Sequence, residues 1–429
     1  MYAEGDQVVR SGTAIAVVAA VSLLLASVGL AGSGPRTTLT SVGPGDEQTN
    51  GSTSTYWRSI SGDGKHVVFT TDDDDLPGAD GTTDVYMRDL GARRTTLVSR
   101  TSAGEPADDD SGDDPAIAAN GRFVAFTTDA ENLPGGVGGI FVRDTKQGKT
   151  KLVSRNTAGE PSTSSSTGRP VLSADGRFVS FEADDDDFPG VDGTLDAYVR
   201  DRRTGRTSLI SQSSDGDPVD TNSSVYPAIS GNGRYVAFHS DSDLLPGADA
   251  TGDLFMRDRK RRTTTLVSKT QGGDPAGGGL GSAGAVSFNG DVVAFESSAA
   301  SLGADPSGSV FVRDRKHGTT RLASVEGDGD VATGDTAAIS ANGRYVVYES
   351  DDNDLPGLDS ILDVYRYDRQ SRQTTLISRS NGGDAGDDDS FYASISGGGG
   401  YVSFTSRANN LTGGEDETVS NSFVRGPLD

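Results

Sequence analysis

Short apolar runs alternate with polar, glycine-rich stretches along nearly the whole chain, and one run returns seven times in almost the same words. SISGDGKHVVF begins at Ser59, AIAANGRFVAF at Ala116, VLSADGRFVSF at Val171 and AISGNGRYVAF at Ala228; AVSFNGDVVAF follows at Ala285, AISANGRYVVY at Ala338 and SISGGGGYVSF at Ser394. The shared glycine falls at Gly64, Gly121, Gly176, Gly233, Gly290, Gly343 and Gly399, a period of 53 to 57 residues. Each copy predicts four strands. The first is short and apolar, as at Pro227–Ser230, and ends in a tight Asn-Gly or Asp-Gly hairpin turn that needs positive φ. The second, as at Tyr235–Phe238, is continuously apolar, so both of its faces must be covered. Phe69, Phe126, Phe181, Phe238, Phe295, Tyr348 and Phe404 share one register there and are predicted core. The third strand reads DVYMRD from Asp84, DAYVRD from Asp196 or DLFMRD from Asp253, and a polar turn leads to a fourth such as Thr207–Ser211.

Counting strands tests for closure. The seventh copy reaches its third strand at Phe423–Arg425 and has no fourth, whereas RTTLTSV at Arg36–Val42 is a fourth strand without a blade, matching RTTLVSR at Arg94–Arg100. Pairing the two predicts an all-β, seven-bladed propeller of four-stranded blades spanning 36–429, its last blade closed by the N-terminal strand. The phrases S-[AG]-[DN]-G-R-[FY]-V-[AS]-F, D-[VAL]-[FY]-[VM]-R-D and R-T-T-L-V-S resemble the WD-like propeller repeat of TolB, also found in the propellers of prolyl-oligopeptidase-type peptidases. The resemblance covers about Arg36 to Arg425 and implies this fold and an extracytoplasmic setting. TolB's N-terminal α/β domain and the peptidases' C-terminal hydrolase domain have no counterpart in the repeat region, so the resemblance transfers no catalytic residue and no partner.

Composition and charge narrow the class. Cysteine is absent, which removes disulfides, Cys-ligated zinc and a thiolate nucleophile. A net charge of −25 argues against nucleic acid, whose affinity comes from Lys and Arg on phosphates. Residues 1–35 form a separate segment: Ser11 to Pro35 carries no charge, and Ala14 to Ala31 is small and apolar. That length stands between a signal peptide and a single N-terminal membrane anchor; either places the remainder in an extracytoplasmic location, secreted, periplasmic or anchored in a cell envelope. Strand order further sorts the loops. Six hairpins between third and fourth strands, on one rim, hold 21 of the 38 Lys and Arg and 6 of the 63 acidic residues. The opposite rim carries Asp72–Asp75, Asp108–Asp110, Asp113, Asp114, Asp184–Asp187, Asp351, Asp352, Asp354 and Asp387–Asp389. Such loops keep an exported protein soluble, and on a rigid scaffold they also make an adhesive face for cationic groups or metal ions.

Four loops on the acidic rim repeat a D-x-x-x-D pair beside a Pro-Gly bend: Asp80/Asp84, Asp192/Asp196, Asp249/Asp253 and Asp359/Asp363. Clustered carboxylates and loop carbonyls are calcium ligands, so these eight are the candidate metal residues; the competing reading is that Asp84 and its equivalents hold the turn through local hydrogen bonds. No catalytic constellation stands out. The three histidines sit in different copies: His66 aligns with Phe123, Phe178 and Tyr235 at a packing position, His239 follows a core phenylalanine, and His317 lies in a basic hairpin. The sequence therefore points to a non-catalytic, monomeric binding or scaffold module that engages a protein or envelope polymer through its acidic loop face. Two alternatives stand beside it: a calcium-stabilised structural module, and a lyase- or glycosidase-type enzyme with a central-channel site. An Arg/Asp/Tyr cluster in the channel favours the enzyme; a lining of Ser, Ala and Thr opposes it.

Overall fold

The hairpin glycines adopt the backbone that the turn signals require, with φ near +70° from Gly64 through Gly343 and +82° at Gly399. The computed structural model describes residues 34–429 apart from 113, 164–166, 186, 191–193, 219–224, 242–251, 278, 280–283, 327–328, 358–359 and 414–418. The apolar segment read as a signal peptide or anchor lies outside the described residues. Pro35–Asp429 forms one unit, and among the described residues no helix is long and apolar enough to cross a membrane.

The described residues build seven four-stranded antiparallel sheets, a seven-bladed β-propeller. Blade 3 is representative: Gly168–Leu172, Phe178–Ala183, Asp196–Asp201 and Arg206–Leu209 lie side by side in chain order. The seventh blade breaks that order as expected. Arg36–Leu39 pairs antiparallel with Asn421–Gly426, Arg36 opposite Gly426 and Leu39 opposite Phe423. The weld continues past the strand: Thr40 N donates to Ser422 O at 2.8 Å and Ser41 Oγ to Asn421 Oδ1 at 3.1 Å.

Within each blade the predicted core aromatic faces a partner on the third strand. Phe69–Tyr86, Phe126–Phe141, Phe181–Tyr198, Phe238–Phe255, Phe295–Phe311, Tyr348–Tyr365 and Phe404–Phe423 have ring centroids 5.7–6.0 Å apart, and every one of these rings is buried. Each ring contributes about 1.5–3 kcal/mol by leaving water, plus roughly 1 kcal/mol from the paired geometry.

Three sets of contacts bind blade to blade. At the perimeter, a threonine on each outer strand donates to a carbonyl just beyond the preceding blade's outer strand: Thr95 to Val42, Thr150 to Arg100, Thr207 to Arg155, Thr264 to Gln212, Thr320 to Lys269, Thr374 to Val325 and Thr37 to Arg379. At the hairpins, an aromatic ring is held between two arginines. Arg177 lies over Phe178 at 4.5 Å and Arg259 of the next blade covers it at 4.3 Å; Phe123 sits likewise between Arg122 and Arg202, and Tyr235 between Arg234 and Arg315. Round the axis, one backbone hydrogen bond joins each blade to the next. Gly62 donates to Ala119, Asn120 to Ala174, Ala174 to Gly231, Asn232 to Phe288, Phe288 to Ala341, Asn342 to Gly397, and Gly397 back to Gly62.

These contacts modify the charge picture. Of the 21 cations counted on the hairpin rim, Arg88, Arg143, Arg200, Arg257, Arg313 and Arg366 are buried, and Arg202, Arg259, Arg315 and Arg369 donate to the hairpin-glycine carbonyls of their own blades. Their hairpin aspartates are also engaged. Arg122 clamps Asp144 at 2.8 and 2.6 Å and Arg177 clamps Asp201 at 2.9 and 2.6 Å, so both carboxyls are held below the usual range. Much of that rim's charge is structural.

Candidate functional site

The first strands line a central channel. Ile60, Ile117, Leu172, Ile229, Val286, Ile339 and Ile395 form its wall. At one end the backbone ring of Gly62, Ala119, Ala174, Gly231, Phe288, Ala341 and Gly397 draws it in, with Phe288 the large side chain among them and 47% exposed. At the other end, on the acidic-loop side, the residue seven before each shared glycine guards the mouth: Trp57, Asp114, Arg169, Tyr226, Thr336 and Tyr392, with Ala283 outside the described residues. Five of them, Asp114, Arg169, Tyr226, Thr336 and Tyr392, have φ between +40° and +55°. A non-glycine residue in that region costs roughly 1–2 kcal/mol, and such strain concentrates where a side chain must be aimed.

On one side of the mouth these residues enclose a cup formed by Tyr56, Trp57, Arg58, Asp114, Arg169 and Tyr226 with three prolines, Pro115, Pro170 and Pro227. Its walls are braced. Arg169 stacks on Tyr226 at 4.2 Å, donates to Glu182 at 2.8 Å, and approaches Asp114 at 3.9 Å. Tyr56 stacks on Tyr392 at 5.3 Å, and Tyr392 meets Phe391 edge-on at 5.0 Å. Burial lowers the Arg58 guanidinium to about 10, against the opposing pull of Asp114.

Two buried carboxylates hold the strained backbone from behind. Glu182 accepts from Tyr226 N at 3.3 Å, and Glu349 accepts from Ala393 N at 3.2 Å. Burial raises both; Arg169 opposes it at Glu182, while Glu349, facing the carboxylate of Asp335, rises to about 8. Glu349 therefore keeps its proton in the folded state up to about pH 8, whereas the unfolded chain releases it near 4.5. The folded state binds more protons across that window, so stability falls as pH rises through it. At about 1.4 kcal/mol per pKa unit the upper bound is about 5 kcal/mol. Glu349→Gln is expected to make the melting temperature fall less steeply between about pH 4.5 and 8 and to melt above the parent in alkaline buffer, read by circular dichroism across pH. An unchanged slope would contradict the assignment.

The predicted metal residues divide. Asp84, Asp196, Asp253 and Asp363 are buried, and each accepts from a serine at the end of the fourth strand, Ser99, Ser211, Ser268 and Ser378, at 2.5 Å. That serine also accepts from the next backbone N–H, so the pair clasps the third strand to the fourth. Burial, aided by Asp80 and Asp110, raises Asp84 to about 7 despite Ser99. Asp80 is exposed and accepts from Thr82 N and Oγ1. Asp192, Asp249 and Asp359 lie outside the described residues. Among the described residues, the carboxylates that gather within 4.8 Å are instead Glu326, Asp352 and Asp354. Other rim acids also serve the loops: Asp73 accepts from Asn50 N, Asp185 from Thr163 N, and Asp108 from Glu131 N.

The histidines form no shared site. His66 packs at the inter-blade position against Gly121, His239 meets Tyr226 edge-on at 6.5 Å, and His317 bonds Asp314 at 2.9 Å. Sequence reasoning missed the cup. Its signal was available: the column seven before the glycine changes from copy to copy inside an otherwise uniform phrase, and is large or charged at Trp57, Asp114, Arg169, Tyr226 and Tyr392.

Fold and site together define a closed seven-bladed propeller with a braced cup at one channel mouth. No family model and no curated protein matches the chain. Solved structures with the same fold include oligogalacturonate lyase from Vibrio parahaemolyticus, 14% identical over 92% of this chain and 96% of that one, with a TM-score of 0.55. The propeller domain of the Trilobed protease from Pyrococcus furiosus, described as having an open velcro topology, is 11% identical over 88% and 96% with a TM-score of 0.54. TolB from Acinetobacter baumannii is 11% identical over 84% and 80% with a TM-score of 0.42. At these identities the likeness is one of fold.

Proposed function

We propose that the protein is a non-catalytic, extracytoplasmic binding propeller that holds a cationic partner, protein or envelope polymer, on its acidic-loop face. The observation that carries this reading is the coincidence of the cup with that face: by strand order the loops bearing Asp72–Asp75, Asp108–Asp110 and Asp387–Asp389 share the rim at which Tyr56, Trp57, Arg58 and Tyr226 converge. An acidic surround steers cationic partners and lends specificity, and the braced aromatic walls supply contact at small entropic cost. Asp72, Asp74 and Asp388 are exposed. Replacing the three together with Asn is expected to weaken binding of immobilised polylysine about tenfold at low ionic strength and to flatten its salt dependence. Parent-like affinity in the triple variant would overturn the reading.

The Arg/Asp/Tyr character of the cup favours one second reading, an enzyme of the lyase or glycosidase kind working there. It predicts new reducing ends or unsaturated products from acidic or neutral polysaccharides, lost in Tyr226→Phe; no product from either class counts against it.

A further inference from the structure

Two neighbouring residues in the cup each keep a donor without an acceptor among the described residues. Trp57 Nε1 is buried and has no hydrogen-bond partner. The Arg58 guanidinium lines both the channel and the cup, and among the described residues it makes no hydrogen bond and no ion pair within 4.0 Å. The other arginine of the first-strand stretches, Arg169, is satisfied by Glu182 and Tyr226. Arg58 is half-buried with its donors unmet, and the indole N–H beside it is shielded and unmet; polar donors left without acceptors in a cavity are costly. Side by side in one cavity they describe a receptor for an oxyanion.

We propose that the cup captures a carboxylate, held by the Arg58 guanidinium and the Trp57 indole N–H, and that this carboxylate is the free C-terminus of a basic peptide. The inference rests on the acidic-face reading above and names the ligand's chemistry. The planar guanidinium fork matches a carboxylate. One cation with one neutral donor beside it offsets a single negative charge and leaves a dianion undercompensated, and Asp114 close by disfavours a second negative charge further. The surrounding acidic loops repel any polyanion, so the group that reaches Arg58 arrives on a chain that is cationic elsewhere. Tyr226, fixed between Arg169 and its strained backbone, gives the last side chain an apolar wall.

The chain has one tryptophan, so indole fluorescence reports on this cup and nothing else. The full chain is titrated with a lysine-rich hexapeptide ending in a free carboxylate, the same peptide amidated, a glutamate-rich hexapeptide with a free carboxylate, and a uronate oligosaccharide. The free-acid lysine peptide is expected to shift the emission saturably, and amidation to weaken it about tenfold or more, the loss expected for a hydrogen bond to a charged group. Arg58→Gln is expected to bind both forms alike, at the amide's affinity; since the amide comparison needs no variant, misfolding cannot mimic the result. Equal affinity of acid and amide overturns carboxylate capture and leaves the acidic-face reading standing. Equal or tighter binding of the glutamate-rich peptide overturns both. A response to the uronate sugar alone overturns the peptide and assigns the cup to acidic saccharides.

Discussion

Deleting Arg36–Val42 is expected to lower the melting temperature by roughly 10 °C and to broaden the transition, with a synthetic peptide of residues 36–42 restoring much of the loss when added back. The strand is four residues long, yet it joins blades that nothing else in the chain order connects. Thr37 bonds Arg379 O and Asn381 Oδ1 of the sixth blade's loop, and Arg425 donates to Thr37 at 2.7 Å. Thr40 and Ser41 tie to Ser422 and Asn421 on the other side. Losing these leaves Arg425 buried without one of its acceptors and opens a sheet edge. Half a dozen net hydrogen bonds at about 1 kcal/mol each are a large share of a typical stability of roughly 5–15 kcal/mol. A deletion variant that melts with the parent would mean that the ring does not depend on its weld.

Gly233→Val is expected to be among the most damaging single substitutions, destabilising by about 4 kcal/mol or more in urea unfolding. Two causes add. The residue has φ +71°, which a β-branched side chain all but forbids. A Cβ there would also collide with the ring of Phe178 in the preceding blade, and that ring cannot yield because Arg177 and Arg259 cover its faces. Gly318 separates the two causes, since it has φ +68° with nothing within 4 Å. Gly318→Ala should therefore cost only the backbone term, about 1 kcal/mol, while Gly233→Ala should cost clearly more. Equal costs at both positions would remove the inter-blade ring contact from the account of why this glycine recurs.

That comparison shows what could be read in advance. The recurring glycine was legible as a turn residue, and the orphan RTTLTSV as the missing strand, because both follow from local φ preference and strand counting. The glycine's second duty was not, since Phe178 lies 55 residues before it and meets it only when blades pack. The D-x-x-x-D loops were only half legible for a related reason. Spacing placed Asp80 and Asp84 close together, but the serine that occupies Asp84 comes 15 residues later, from the fourth strand. The hairpin arginines likewise looked like surface charge until their partners in neighbouring blades were in view. Repeat arithmetic rewards what is the same in every copy, whereas the cup is assembled from what differs: Trp57, Asp114, Arg169 and Tyr226 occupy one column in four blades.

The seven backbone bonds around the axis behave as a hoop. An outward load on any wedge must stretch the links on both sides of it, and those links close on themselves through Gly397 and Gly62. The bore is thereby fixed at one end, and the opposite aperture can widen only by tilting all the wedges in concert. Selectivity at Arg58 and Trp57 then comes from a rigid gauge whose diameter is set by the main chain and whose chemistry is set, one wedge at a time, by a single side chain.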